Sequence, residues 1–485
     1  MKAVCDHSCF RSFFALGPGL FAAGVASHVL YFIHGERDKE AAHIVQCFAH
    51  GFLVLWLAEM VLFWCSSLEA GLVALVGLFC FLAGLGGSIG LYRVLFHRTR
   101  RIPGPFGHAL TKWTATSIAR KTHQWHIHLG YLHNKYGDFV RTGPREVSIN
   151  DVRAIEPIYG KSSKCLKGPW YDLGGTGYNL HRTRDPDLHR KQRPLWEKGI
   201  HEMSIHIEKI KAKTDDFLQH LSTFSGPFNI ADELGVFAFN VMGYVLFSLD
   251  FDKDEKLRRR AKQGYDTLLR SQSALGVYGQ VPWLYSVNDG YPSLGLIPAN
   301  DNFTRFGNDM VEERRKINPK DPDLFSFLLP TETDPDSAQF PLQWEARLAM
   351  VSGSGNVSTA LTSSLFYLAH HPDVQVELQN ELDPLFGSNT FNPRTAYPIL
   401  DSVLYESIRL QPLVPSGGER VTPREGIIVG DEFIPGDVVL RVPSFVIFRD
   451  PRYFERPKEW IPSRWTSENH LVKSKGAFIP FSTGG

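Results

Sequence analysis

The stretch Trp460-Ile461-Pro462-Ser463-Arg464-Trp465, followed at the end of the chain by Phe481-Ser482-Thr483-Gly484-Gly485, decides how the rest of the sequence is read. Working back from it, Glu406-Ser407-Ile408-Arg409 lies in an apolar-periodic segment, residues 399–410. At i and i+3, Glu406 and Arg409 share a helix face, and on a helix surface such a pair contributes only ~0.2–0.5 kcal/mol. Any protein carries this spacing by chance, so its weight comes from position. It follows a long helical segment, 343–371. It precedes a strand-and-turn region, 426–442, with a turn pair at Pro435-Gly436, and then Asp450-Pro451-Arg452-Tyr453-Phe454.

Segment 343–371 contains Gly353 and Gly355. A glycine inside a helix costs about 1 kcal/mol against alanine, so two of them need a reason. One reason is close approach of the backbone to something flat, and the other is a kink between packed helices. Earlier, residues 205–285 read mostly as helix, and 237–251 is an apolar run that suits a buried one. Asp185 is a fair N-cap with Pro186 at the first helical position. His189 and Arg193, four apart, then share a face, and spacing alone makes this a solvated basic helix start. The histidine-rich run 123–133 predicts an amphipathic helix ended by Tyr136-Gly137. A metal site is the alternative, without the H-E-x-x-H spacing that would support it. Strands are expected at 139–142 and 146–149, turning at Gly143-Pro144. Gly174-Gly175-Thr176-Gly177 has no strand before it and no helix directly after it, so it reads as a loop and not as a phosphate cradle.

The first hundred residues differ from the rest. Segments 13–33, 43–64 and 71–96 are nearly uncharged, and each is about long enough to cross ~30 Å of hydrocarbon as a helix. The alternative is a single signal anchor followed by two buried core helices. His97-Arg98-Thr99-Arg100-Arg101 marks the cytosolic side, which puts the N-terminus and the turn at 65–68 in the lumen. Ile102-Pro103-Gly104-Pro105 is a stiff linker. Residues 1–101 are therefore expected to be a membrane anchor with up to three spans, and 102–485 one large domain. The chain has 52 Lys and Arg against 51 Asp and Glu, a balance that argues against a nucleic-acid partner. Its 34 Phe suit a large apolar core or pocket. Five of the six cysteines (Cys5, Cys9, Cys47, Cys65, Cys80 and Cys165) precede residue 81, and none has C-x-x-C spacing. The large domain therefore carries no disulfide framework and no zinc motif, as a reducing compartment would have it.

Taken in order, the helix-borne Glu406 and Arg409, the Arg464 segment and the terminal Phe481/Gly484 pair resemble the C-terminal half of a cytochrome P-450, a haem-thiolate monooxygenase of the fungal microsomal type. The resemblance covers roughly residues 102–485. It implies a mainly α fold, a prism of helices with a small β-rich lobe behind a membrane anchor. It implies a buried triad of Glu406, Arg409 and Arg464 that locks the segment before the haem loop. In the family's loop pattern F-x-x-G-x-R-x-C-x-G, Phe481 and Gly484 fill the first and fourth places, and the cysteine place lies past Gly485, so the domain is expected to be C-terminally incomplete and its metal ligand to lie outside this chain. His189 and Arg193 fall where the family's W-x-x-x-R bonds a haem propionate, and Arg420 is a further propionate candidate. The long helix corresponds to the one that crosses the haem with A-G-x-D-T-T. Its oxygen groove would be Ser354, Gly355 and Asn356, with Gly355 at the acid place and Asn356 at the alcohol place, so the usual proton relay is absent.

The resemblance further implies haem b, electrons from NADPH through a separate cytochrome P-450 reductase, and hydroxylation or epoxidation of a lipophilic small molecule such as a secondary metabolite or xenobiotic. It places the catalytic domain on the cytosolic face of the endoplasmic reticulum membrane. The alternative reading is a membrane-anchored, non-catalytic relative without the haem ligand. A multi-span protein whose cytosolic ligand-binding domain uses no haem is a further one.

Overall fold

Residues 16–173, 178–202, 206–329, 341–387, 392 and 395–483 are described by the computed structural model of the chain. Three apolar helices come first: α1 (Leu16–Phe32), α2 (Ala41–Leu62) and α3 (Ser67–Leu91), the last continued by a π turn, Tyr92–Phe96. The second and third are long and apolar enough to cross a membrane, and α1 is a shorter apolar helix over its described residues. Positions 13–15 of the first expected span lie outside the described residues. Leu30, Val54, Val61, Leu72 and Phe79 are exposed on the bundle, an apolar surface of the kind lipid covers. Inside it, α1 and α3 cross backbone to backbone. A Cβ on Gly84 would lie 2.1 Å from the Phe21 carbonyl oxygen, and one on Gly24 would lie 2.1 Å from that of Phe81. Such contact needs glycine on both helices. A capping box starts α3: the Ser66 hydroxyl accepts from the Glu69 amide, and the Glu69 carboxylate from the Ser66 amide. Cys65, in the turn before it, is disulfide-bonded.

The remainder is mostly helical. The expected amphipathic helix is α4 (Trp125–Tyr136), ending at Gly137. α5 (Pro186–Glu202) starts at the proline, and the Asp185 carboxylate accepts from the amides of Asp187 and Leu188. α6 (Ile230–Phe247) is also apolar and long enough to cross a membrane, but it runs through the main core, where Phe239 and Phe247 are fully buried. Its composition serves packing. α7 (Glu255–Tyr278) and α8 (Trp283–Gly290) follow. The segment expected as one helix over 343–371 is α9 (Leu342–Met350), a π turn at Val351–Gly355, and α10 (Asn356–His370). A Cβ on Gly353 would meet the Met242 methyl at 2.0 Å, so this glycine lets α6 press against the turn. At Gly353, helix packing is the reason for the glycine. α11 (Pro398–Leu410) carries Glu406 and Arg409.

A five-stranded sheet runs in the order β1-β2-β7-β4-β3. β1 (Phe139–Gly143) and β2 (Glu146–Ile149) form the expected hairpin. β7 (Val439–Arg441) pairs parallel with β2, so the sheet joins the start of the large domain to its end. β4 (Arg420–Val421) lies between β7 and β3 (Leu166–Lys167), antiparallel to both. β5 (Ile427–Val429) and β6 (Glu432–Ile434) make a separate hairpin. Val147, Ile149, Leu440, Phe448 and Phe454 build a second core beside the sheet. The loop Gly174–Gly177 and the terminal Gly484 lie outside the described residues.

The glycine crossing of α1 and α3 is open to a direct test. A Cβ on Gly17 would lie 3.7 Å from the free thiol of Cys80, so Gly17→Cys should form a disulfide with Cys80 on mild oxidation. Adding Gly84→Leu should cut that crosslink severalfold, read on a non-reducing gel. An unchanged yield would mean that the helices do not cross at these glycines.

Candidate functional site

Glu406, Arg409 and Arg464 converge where α11 meets the 3-10 turn Pro462–Trp465, and all three are fully buried. Glu406 Oε1 accepts from Arg409 Nη2 (2.8 Å), Arg464 Nε (3.2 Å) and the Ile461 amide (3.0 Å). Its Oε2 accepts from Arg409 Nε (2.9 Å) and Trp465 Nε1 (3.0 Å). The other donors of Arg409 go to the carbonyls of Phe448, Pro457 and Glu459. Those of Arg464 go to the carbonyls of Glu455, Leu471 and Arg456. One carboxylate thus faces two guanidinium groups, and six carbonyl oxygens take up the remaining positive charge. The surface value for an i,i+3 pair does not apply to such a site. The assembly ties residues 448–471 to α11 just before the terminal segment.

A second cluster is built of cations. Lys167 on β3 donates to the carbonyls of His181 (2.7 Å) and Leu180 (3.2 Å). Burial, and then Arg420, push its amine down to about 8. His181 is held down at about 4, first by desolvation and then by Lys167, Arg420, Arg182 and His189. The residue is nonetheless exposed. His189 is lowered by burial, Lys167, Arg193 and Arg420. Arg420 donates to the Tyr171 hydroxyl (3.2 Å) and lies 5.3 Å from the centre of the Tyr159 ring. Among the described residues, no carboxylate forms an ion pair with Lys167, His181 or His189, and cations are the charged neighbours that lower them. Like charges with no counter-ion raise one another's cost. The cluster therefore fits a ligand that brings carboxylates of its own.

The residues expected at this site fall as follows. His189 and Arg420 join the cluster. Arg193 is exposed and pairs with Glu197 at 2.7 Å, although its charge reaches His189. The hydroxyl of Thr483 donates to the Tyr159 carbonyl, so the end of the described chain reaches the residue stacked on Arg420. Phe481, two residues before it, is 72% exposed. At the π turn, Ser354 is buried and bonded to the Met350 carbonyl, and Ser358 and Thr359 both donate to the Gly355 carbonyl. These hydroxyls serve the helix. Asn356 is half-buried, and among the described residues its amide has no hydrogen bond. Val357 beside it is 45% exposed in mid-chain. A Cβ on Gly355 would lie 3.2 Å from the Gln272 amide of α7.

Lys167, His181, Tyr159 and Tyr171 were not among the expected site residues, and neither was Glu345. Glu345, on α9, is buried without a cation. It accepts from Trp196 Nε1 (2.9 Å), the Leu180 amide (3.2 Å) and Gln192 Nε2. Burial raises its carboxyl to about 8 against those three donors. The Gln192 carbonyl oxygen beside it is buried without a partner, an acceptor for the proton of a neutral Glu345. Glu345 thereby links α5, which carries His189, to the central helix.

A sequence profile of the family described as Cytochrome P-450 matches residues 103–485. The cytochrome P-450 monooxygenase orf5 of Eupenicillium brefeldianum is 36% identical over 424 residues, 85% of this chain and 85% of its own length. The cytochrome P-450 monooxygenase nodW of Hypoxylon pulicicidum is 33% identical, covering 95% of this chain and 85% of its own. A protein of Aspergillus fumigatus named tryprostatin B 6-hydroxylase is 30% identical, covering 95% and 84%.

Two outcomes follow from the geometry. Arg464→Ala leaves the Glu406 network short of a donor and a cation, and it should cost about 3–5 kcal/mol in urea unfolding of the membrane-extracted chain. A loss under about 1 kcal/mol would show that the triad does not hold the fold. For Glu345 the folded pKa stands above the unfolded value of 4.5, so the folded chain keeps the proton up to about 8. That stability is fully present below about 4.5 and is lost as pH rises through about 8, by at most ~1.4 kcal/mol per pH unit. Glu345→Gln should flatten this part of the melting profile, whatever its constant cost. Parallel profiles for the two proteins would sink the assignment.

Proposed function

The chain belongs to the cytochrome P-450 family, and on that premise we propose that it is a haem-dependent monooxygenase of a lipophilic small molecule in fungal secondary metabolism. The observation that carries the haem reading is the cation cluster without a carboxylate. Arg420, His189, Lys167 and His181 would hold the two carboxylates of haem b, and Arg193 would join them by leaving Glu197. Bound there, haem supplies the iron at which dioxygen is activated to oxidise a C–H or C=C bond.

The protein's own part is to bind, orient and manage protons. The triad of Glu406, Arg409 and Arg464 fixes the segment that leads to Phe481 and, beyond the described residues, Gly484. The central helix would present Ser354, Gly355 and Asn356 to the oxygen side. With the Ser354, Ser358 and Thr359 hydroxyls bonded to helix carbonyls, the Asn356 amide is the free polar group there, and it would hold a water or an oxygen atom. Proton delivery then falls to ordered water or to a hydroxyl of the substrate.

The apolar bundle supports an endoplasmic reticulum anchor with the domain in the cytosol. The loop before α2 and the basic run 97–101 share the domain's side, and the disulfide of Cys65 at the other end suits an oxidising lumen. Electrons would come from NADPH through a membrane-bound reductase. The relative named a tryprostatin B 6-hydroxylase favours a small-molecule metabolite as substrate.

The test is expression from the full coding sequence together with such a reductase. A thiolate-type carbon monoxide spectrum and NADPH-dependent oxygen incorporation are expected, and a folded product that takes up no haem would end the proposal. In the double variant His189→Ala, Arg420→Ala, haem retention through dialysis should fall by about tenfold or more, the loss expected for charged hydrogen bonds.

A further inference from the structure

The membrane bundle does more than carry the domain. Its loop before α2 is docked on it by charge. The Glu36 carboxylate bridges Arg145 (2.7 Å) and Arg184 (2.8 Å). Lys39 meets Asp172 and the Tyr178 hydroxyl, each at 3.0 Å, and Ser286 of α8 donates to the Lys39 carbonyl. On the other side, Arg141 of β1 donates to the Arg93 carbonyl, and Arg93 to the carbonyl of Leu110.

Between these two attachments lies a cavity of about 870 Å³. Phe32, Ile33, Ile44, Val45, Phe48 and Ile89 of the bundle form its apolar wall. The facing wall belongs to the large domain and mixes charged with apolar residues, and three of the lining cations, Arg37, Arg93 and Arg98, lie on the anchor side. Eight Lys and Arg line the cavity against five Asp and Glu. Most of these cations have carboxylate partners, but among the described residues Arg93 and Arg424 have none. Arg98 has only an exposed pair with Asp437, the kind of pair that contributes little. Its guanidinium also donates to the Gly436 carbonyl, and Gly436 packs on the backbone of Arg424.

The β3–β4 register adds a direction. Leu166 pairs with Val421 and Lys167 with Arg420, and successive residues of a strand face opposite ways. Leu166 and Val421 line the cavity, while Lys167 and Arg420 belong to the cation cluster. One layer of strand therefore separates the two.

We propose that this cavity binds an amphipathic anion, an apolar chain or ring system ending in a carboxylate or phosphate. Its apolar part lies against the anchor helices, and its charge meets Arg93, Arg98 and Arg424. An apolar wall continuous with membrane helices admits such a molecule from the bilayer, and Arg93, Arg424 and the weakly paired Arg98 select the charged end. The proposal rests on the cavity alone and does not depend on the haem reading.

The test uses the full chain in phosphatidylcholine nanodiscs, with a diazirine on the hydrocarbon of four probes: a C16 carboxylic acid, its methyl ester, phosphatidic acid and phosphatidylcholine. Labelling within residues 28–48 and 421–424 is read by peptide mapping. The acid, the phosphatidic acid, or both should label these segments about tenfold more than the neutral counterpart. A preference for the free acid identifies a small amphiphile as the occupant, and a preference for phosphatidic acid identifies a membrane lipid. Arg98→Ala with Arg424→Ala should abolish the preference while leaving the melting temperature in place. Equal labelling by charged and neutral probes, or labelling elsewhere, overturns the proposal. If the double variant melts early, Arg424→Gln alone should still reduce the preference, and an unchanged preference in that variant also overturns it.

Discussion

One carboxylate, that of Glu406, is the point on which the C-terminal half of the molecule depends. Taking it and two guanidinium groups out of water is expensive, and mutual attraction repays that cost only when every donor and lone pair is used. Here nearly all are, through two arginines, an indole, an amide and six carbonyls. Those carbonyls come from residues 448–471, a stretch with no long helix or strand to satisfy its backbone. The dependence is therefore mutual. The irregular segment is held because the arginines bond it, and the arginines are tolerated because the segment supplies oxygens.

The cation cluster around Arg420 is the opposite case. Its members are half-buried or, at His181, exposed, and among the described residues no carboxylate pairs with them, so carbonyl oxygens and aromatic faces compensate only in part. The low positions of Lys167, His181 and His189 record this imbalance. The contrast with the neutralised triad supports the proposal that the second site receives an anion. A histidine held at about 4 is neutral at physiological pH, so His181 would meet that anion as a hydrogen-bonding group, while Arg420 brings charge.

How far the site could be read in advance depends on the range of its contacts. Glu406, Arg409 and Arg464 were legible as a triad only through the family resemblance, because spacing alone makes Glu406 and Arg409 an ordinary surface pair and says nothing of Arg464. The start of α5 was legible too, since Asp185 and Pro186 are local signals. At Arg193 spacing alone gave a solvated basic helix start, and the residue is exposed and paired with Glu197 one turn further on, whereas the propionate role came from the resemblance. Gly353 announced itself as costly in a helix, but Met242, which explains it, lies more than a hundred residues away. Lys167 and His181 carried no signal. One sits on a two-residue strand and the other in a loop, and only the pairing of β3 with β4 brings them to Arg420. Glu345 carried no signal either, because its donors, Gln192 and Trp196 of α5 and the Leu180 amide, lie about 150 residues away in the chain.

That same two-residue ladder also couples the two halves of the molecule. A strand this short has few hydrogen bonds of its own, and its position is set by what presses on each face. On one face lie Leu166 and Val421, toward the cavity beneath the anchor, and on the other Lys167 and Arg420, in the cation cluster. The anchor loop reaches the same region, because Arg184, which Glu36 holds, also donates to the Lys167 carbonyl at 2.8 Å. Residues 36, 184 and 167 thus form one chain of contacts from the membrane bundle to the cation site. The anchor is in this sense part of the site's construction.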